Sequence, residues 1–244
     1  MTRLVLIDGS SYLYRAFHAL PPLTAPDGSP TGALFGIVNM LRATLKENPD
    51  YTAFVVDASG PTFRDELYPA SKATRAAMPD DLRAQVEPMM QIVSALGMPI
   101  MRVDGVEADD VIGTLAVQGA AAGIDVVLVT ADKDMMQLVG DGVSLMHTGR
   151  NKLYDAKLVE EDFGVPPSQV ADVLALMGDA VDNVPGVPGI GEKGAKQLIK
   201  EYGSVEALVE RAGELTRKAY REGLTEHRAQ ALLFGHSFAF QQVF

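Results

Sequence analysis

A chain of 244 residues with 47% hydrophobic side chains can bury one large core or two small ones, and its apolar runs fall well short of the roughly 20 residues that cross a bilayer. It has no cysteine, which excludes disulfides and thiolate metal sites, and its start lacks a basic stretch leading into an apolar one, so the expected compartment is the cytoplasm with no membrane partner. The formal charge of −11 excludes a uniformly basic surface, but cations gathered on a local cluster of acids would reverse the sign there, so the total decides neither for nor against nucleic acid.

In chain order, the apolar run Leu4 to Ile7 predicts a buried strand ending on Asp8. From Gly32 to Lys46, the residues Leu34, Ile37, Val38, Leu41 and Leu45 fall on one helical face. Ala53 to Val56 predicts a second strand, ending on Asp57. The stretch from Ser59 to Pro79 fits neither period and carries Arg64, Lys72 and Arg75, with Arg83 just beyond; long irregular insertions at strand ends are often functional. Leu82, Val86, Met89, Val93 and Leu96 predict the next helix, Pro99 to Val103 a strand, Ala108 to Ala121 a helix, and Val126 to Val129 and Val143 to His147 two further strands. Strands alternating with helices imply an α/β fold with a mainly parallel sheet covered on both faces. Near residue 150 the texture changes to short helices separated by Gly and Pro, expected at Pro167 to Met177, Gly194 to Tyr202, Val205 to Arg211 and about Arg217 to Leu233. Two regions follow, 1–150 and 151–244.

The acids carry the chemistry. Asp8 and Asp57 end strands, Glu107 and Asp132 follow strands closely, and in open α/β sheets ligands bind beyond the carboxyl ends of the strands. Asp109, Asp110 and Asp134 lie beside them, and Asp179 and Asp182, three apart, share one face of a helix or turn. A single Asp after a strand is ordinarily a helix cap or turn residue, and Asp8 before Gly9-Ser10-Ser11 suits that use well. Convergence of four strand ends favours a metal site instead. Carboxylates brought together repel one another unless cations neutralise them, and hard divalent ions that keep several waters suit the set. Two such ions would serve phosphodiester hydrolysis.

The run Gly186-Val187-Pro188-Gly189-Ile190-Gly191-Glu192-Lys193, opening into Gly194-Ala195-Lys196, reads either as a helix-hairpin-helix gripping a phosphate backbone or as a plain turn between packed helices. Gly189, Gly191, Lys193 and Lys196 are its candidate DNA contacts. Arg64, Lys72 and Arg75 suit a solvated loop, yet their place just after Asp57 would bring them to a phosphate held at the acids. Tyr12, Tyr14 and Phe17 fit a base-stacking face or, more commonly at the start of an amphipathic helix, the core.

Taken together, Ile7-Asp8-Gly9-Ser10-Ser11-Tyr12, Thr62-Phe63-Arg64-Asp65-Glu66-Leu67, Met78-Pro79-Asp80-Asp81-Leu82-Arg83, Gly105-Val106-Glu107-Ala108-Asp109-Asp110, Asp132-Lys133-Asp134, and Leu176-Met177-Gly178-Asp179 through Gly191-Glu192-Lys193 resemble the 5′-3′ exonuclease (flap endonuclease-like) domain of bacterial DNA polymerase I over residues 3 to about 233. The resemblance implies a Rossmann-like, PIN-related 5′-nuclease core with a helical arch at about 59–82 and a helix-hairpin-helix at about 183–202. It implies 5′-3′ exonuclease and flap endonuclease activity on branched, nicked or flapped DNA in replication and repair. Position by position, it implies metal carboxylates at Asp8, Asp57, Glu107, Asp109, Asp110, Asp132, Asp134, Asp179 and Asp182 for magnesium or manganese. It places Lys72 and Arg75 at the scissile phosphate, and a potassium ion at the hairpin.

Three departures stand out. Where the family commonly has Tyr-Lys-Ala-Asn-Arg-Pro-Pro, this chain has Ser71-Lys72-Ala73-Thr74-Arg75-Ala76-Ala77, and loss of proline frees backbone entropy in the arch. The segment Leu233 to Phe244, with four Phe, departs from the family and suits a core seal, an interface or a truncation scar. No polymerase region follows, so gap filling is expected from a separately supplied polymerase or from a missing part of a longer chain, and the nuclease is expected to be a monomer. A PIN-like ribonuclease and a junction-binding module with weakened catalysis are the competing readings.

Overall fold

The computed structural model describes residues 2–70, 77–240 and 242–243. β1 (Arg3–Asp8) leads through α1 (Gly9–Ala19) and α2 (Gly32–Leu45) to β2 (Tyr51–Val55). Short α3 (Phe63–Leu67) and α4 (Asp80–Arg83) precede α5 (Val86–Ala95), β3 (Ile100–Met101), α6 (Ala108–Ala121) and β4 (Asp125–Thr130). After a 3-10 turn at Asp134–Leu138 come β5 (Val143–His147), β6 (Lys152–Tyr154), α7 (Ala156–Phe163) and α8 (Val170–Met177). A hairpin of β7 (Gly178–Asp179) and β8 (Val184–Pro185) is followed by α9 (Glu192–Tyr202), α10 (Val205–Glu210), α11 (Lys218–Glu226) and α12 (Arg228–Phe238).

The main sheet runs β3-β2-β1-β4-β5-β6, parallel from β3 to β5, with β6 antiparallel at the edge. From β1 the chain builds outward through β2 and β3, then crosses back to place β4 on the other side of β1. That reversal opens a crevice at the carboxyl ends of β1 and β4, the usual ligand position in such sheets. Successive β1 residues alternate between two cores. Leu6 packs with Val55, Leu128, Ile112, Leu174 and Phe234, while Val5 and Ile7 pack with Phe54, Ile37 and Leu41 beneath α1, α2 and α5. Burial on both faces is why the strands read as unbroken apolar runs. Leu174 and Phe234 belong to the same buried core as α6, so the later helices share one continuous core with the sheet layer.

Two expected helices are interrupted. The one expected from Leu82 to Leu96 breaks around buried Gln85, whose amide donates to the Asp81 carbonyl while its side-chain oxygen accepts from Leu34 N–H. The one expected from Arg217 to Leu233 breaks at His227, with φ −106° and ψ 24°, and resumes as α12 to Phe238. The strand expected at Pro99 to Val103 contracts to Ile100–Met101. Part of the arch stretch, Ser71 to Ala76, lies outside the described residues.

Candidate metal centre

Asp8 both caps a helix and faces the crevice: its Oδ1 accepts from Ser11 N–H at 2.9 Å and its Oδ2 from the Thr130 hydroxyl at 2.7 Å. The cap expected of this position is made, and the carboxylate also lines the crevice. Asp57, two residues beyond β2, accepts from Ala108 N–H at 2.9 Å and from the Ser10 hydroxyl at 3.1 Å, so it ties the starts of α1 and α6 together. Glu107 is the N-cap residue of α6, with Asp109 and Asp110 in that helix's first turn, where the helix dipole favours acids. Asp132 follows β4 and accepts from Asp134 N–H at 2.8 Å. From the later helical part, the β7–β8 hairpin brings in Asp179 and Asp182.

Eight of these carboxylates, Asp8, Asp57, Glu107, Asp109, Asp132, Asp134, Asp179 and Asp182, line one cleft of about 720 Å³. Among the described residues Lys133 is the one cation lining it, and Tyr14 stands at the wall. Burial pushes the Asp8 carboxyl up to about 6, and the charges of Asp132 and Asp57 add to it despite the two hydrogen bonds. Burial, followed by the neighbouring carboxylates with Asp132 first, holds Asp109 and Asp134 well above the usual range, and Asp132 is raised for the same reasons. Asp179 goes the other way: against its burial, bonds from Lys133 and Val181 N–H hold it low. A cleft of mutually repelling, partly dehydrated carboxylates is a site that cations stabilise.

The residues fit hard divalent ions. Every donor is a carboxylate oxygen, and Asp134 Oδ1 is buried without a hydrogen-bond partner. Among the described residues, no three acidic or imidazole groups close tightly enough to hold one ion by direct ligation alone. Ions that keep several of their waters, with carboxylates reaching those waters, suit this spacing.

The ninth acid stands apart. Asp110 lines an adjoining pocket, where Arg64 donates Nε to Oδ2 at 3.1 Å and Nη2 to Oδ1 at 2.6 Å, and Arg64 Nη1 donates to the Ser237 carbonyl. Arg64 thus holds α3 against α6 and α12. The chain end also docks here: Gln137 donates to the Phe238 carbonyl at 2.8 Å and accepts from Phe240 N–H at 2.8 Å, while the Phe240 ring covers Gly113 so closely that no Cβ would fit. The apolar tail seals the core beside the cleft. Of the three aromatics in α1, Tyr12 is buried with its hydroxyl on Thr44, Phe17 packs against the same core, and Tyr14 is exposed.

In the hairpin region, Val187 N–H returns to the Leu176 carbonyl at 2.8 Å, Gly189 adopts φ +85°, and Gly191 is the N-cap of α9 with no side-chain capping bond. Lys193 is exposed on the first turn of α9, and Lys196 pairs with Glu192 at 2.6 Å above the Phe163 ring. Lys72 and Arg75 lie outside the described residues. Sequence reasoning passed over Thr130 and Ser10, which orient two of the acids, and Lys133, whose place between two acids was the available signal.

Two family models match the chain: "5'-3' exonuclease, N-terminal resolvase-like domain" over residues 3–164 and "5'-3' exonuclease, C-terminal SAM fold" over residues 165–237. DNA polymerase I of Pseudomonas aeruginosa is 54% identical over 238 residues, covering 94% of this chain and 26% of the relative. A 5'-3' exonuclease of Aquifex aeolicus is 40% identical over 210 residues, covering 86% of this chain and 73% of the relative. The chain therefore spans about a quarter of the length of the DNA polymerase I relative and most of the length of the shorter exonuclease. Among solved structures, the flap endonuclease of bacteriophage T5 in a pseudo-enzyme-product complex with DNA and metal ions matches with a TM-score of 0.78 at 23% identity, covering 96% of this chain and 87% of that one.

Proposed function

The chain belongs to the 5′-3′ exonuclease family, and from that premise we propose that it is a structure-specific 5′ nuclease, hydrolysing a DNA phosphodiester where a single-stranded 5′ end meets duplex. Its substrates are branched, nicked or flapped DNA of the kind met in replication and repair. The observation that carries this reading is the convergence of eight carboxylates, from both halves of the chain, on the crevice at the carboxyl edge of the sheet.

Magnesium or manganese bound there supplies an activated water and stabilisation of the leaving oxygen. The chain's own residues place the reacting groups. Asp8, Asp57, Glu107, Asp109, Asp132 and Asp134 hold the core side of the cleft, and Asp179 and Asp182 the hairpin side. Asp110 acts through Arg64, fixing α3 at the foot of the arch; a phosphate contact from Arg64 requires that it exchange partners. Lys72 and Arg75, carried over from the family, polarise the phosphate. Gly189, Gly191 and the first turn of α9 offer N–H groups to the duplex backbone, with Lys193 and Lys196 adding charge and a potassium ion seated at the turn. Such contacts position duplex without reading its sequence. The unit works as a monomer, and gap filling falls to a polymerase.

A 5′-labelled DNA flap and a matched RNA flap, each incubated with EDTA or magnesium, test the reading. Magnesium-dependent release of the DNA flap near its junction is the expected result. Preferential cutting of RNA would make the chain a ribonuclease, and tight flap binding with no metal-dependent turnover would make it a junction-binding module.

A further inference from the structure

Both oxygens of Asp179 are already engaged. Oδ1 accepts from Val181 N–H at 2.7 Å, turned to its own hairpin, and Oδ2 meets the Lys133 ammonium at 2.8 Å. The Asp179 side chain is only 7% exposed, and an ion that approaches Oδ2 meets an oxygen the ammonium already holds. Its backbone is fixed by the pairing of Gly178–Asp179 with Val184–Pro185. The backbone of Lys133 is fixed too, in a turn closed by Asp134 N–H on Asp132 Oδ1 at 2.8 Å and by Met136 N–H on the Lys133 carbonyl at 3.1 Å. Only the Lys133 side chain has freedom. It is 38% exposed, and it borders a second cavity that Tyr68, Asn183 and Pro185 also line, with room for the ammonium to turn into.

We propose that Lys133 is an exchangeable counter-cation: its ammonium competes with a divalent ion for Asp179 Oδ2 and swings into the neighbouring cavity when that ion binds. This rests on the metal reading of the cleft given above. A doubly charged ion outcompetes a single ammonium among so many carboxylates, yet it binds less tightly than it would to an uncontested one. Asp8 and Asp57, by contrast, are held among the described residues by hydroxyl and N–H donors rather than by a cation. The two ends of the cleft therefore differ in affinity: the Asp8 end fills first and the Asp179 end at higher ion concentration. Lys133 is a positioning residue that sets this order.

The test is a manganese titration of the metal-free chain, followed by the electron paramagnetic resonance of free ion. Wild type is expected to show saturable sites of unequal affinity. Lys133→Met should tighten the weaker site about fivefold, the scale of one partly exposed ion pair, and leave the tighter site in place. Lys133→Arg should keep the weaker site weak. Asp179→Asn should remove that site, and Lys133→Met added to it should change nothing further. Lys133→Gln repeats the measurement should the Met variant fail to fold. Unchanged or lower affinity in Lys133→Met and Lys133→Gln would overturn the proposal, whereas absence of saturable manganese binding in wild type would overturn the metal reading itself.

Discussion

Asp109 and Asp110 are neighbours in the first turn of α6, but one faces the crowded cleft and the other a guanidinium. Removing the charge at Asp110 leaves the buried Arg64 with the longer Glu107 pair at 3.9 Å and the Ser237 carbonyl in place of its close carboxylate, which costs on the order of 2–3 kcal/mol. Asp110→Asn should therefore lower the melting temperature in the presence or absence of metal, as differential scanning calorimetry would show; an unchanged melting temperature would mean the pair contributes nothing. Asp109→Asn is expected to do the reverse in EDTA, relieving repulsion and raising the melting temperature, while losing part of the stabilisation that magnesium gives wild type. The sequence shows the acids because strand ends have a fixed edge in a parallel sheet. It does not separate Asp110 from Asp109, because their partners, Arg64 and Asp132, come from distant segments and adjacent helix positions point about 100° apart.

At the scale of elements, the β7–β8 hairpin is the part most sensitive to a single methyl group. Gly178 sits at φ +77°, and a Cβ on Gly186 would lie 2.4 Å from the Met177 carbonyl carbon and oxygen. Gly186→Ala should cost about 2–4 kcal/mol and displace Asp179 and Asp182. Manganese titration would show the Asp179-end site lost and the Asp8-end site retained; loss of neither would refute this. In the neighbouring turn, Lys193→Ala is expected to weaken duplex binding and reduce the slope of log affinity against log salt by about one, and an unchanged slope would remove Lys193 from the phosphate contacts. The long periodic elements were readable before the structure: Ala108–Ala121 was expected with the bounds it has, and Val143–His147 likewise. What escaped the pattern were short elements fixed by tertiary contacts. The breaks at Gln85 and His227 and the docking of Phe240 on Gly113 depend on partners that periodicity does not record.

For the molecule as a whole, the cleft makes stability depend on pH and metal together. Asp8, Asp109, Asp132 and Asp134 keep their protons to higher pH when folded than when unfolded, where an aspartate titrates near 4. Between that value and the folded ones, about 6 for Asp8, the native state binds more protons, so stability falls as pH rises. Asp179, Asp162 and Glu192 are shifted down and act with the opposite sign, but at more acidic pH. In EDTA the melting temperature should fall as pH rises from about 4 through about 6, and magnesium should flatten that decline because an ion favours ionised carboxylates. A flat profile in EDTA would show that the acids do not strain the metal-free fold.

A ribosome delivers Asp8 well before Asp182, with strands β2 to β5 of the sheet and most of the helices made between them. The pairing of β1 with β4 cannot form until Thr130 has emerged, and the hairpin that completes the cleft comes later still. At translation speeds of roughly 5–20 residues per second, the early acids spend several seconds hydrated and apart. The nascent chain therefore cannot gather both halves of its acid set until the β7–β8 hairpin has followed, and the early acids stay apart from Asp179 and Asp182 until then.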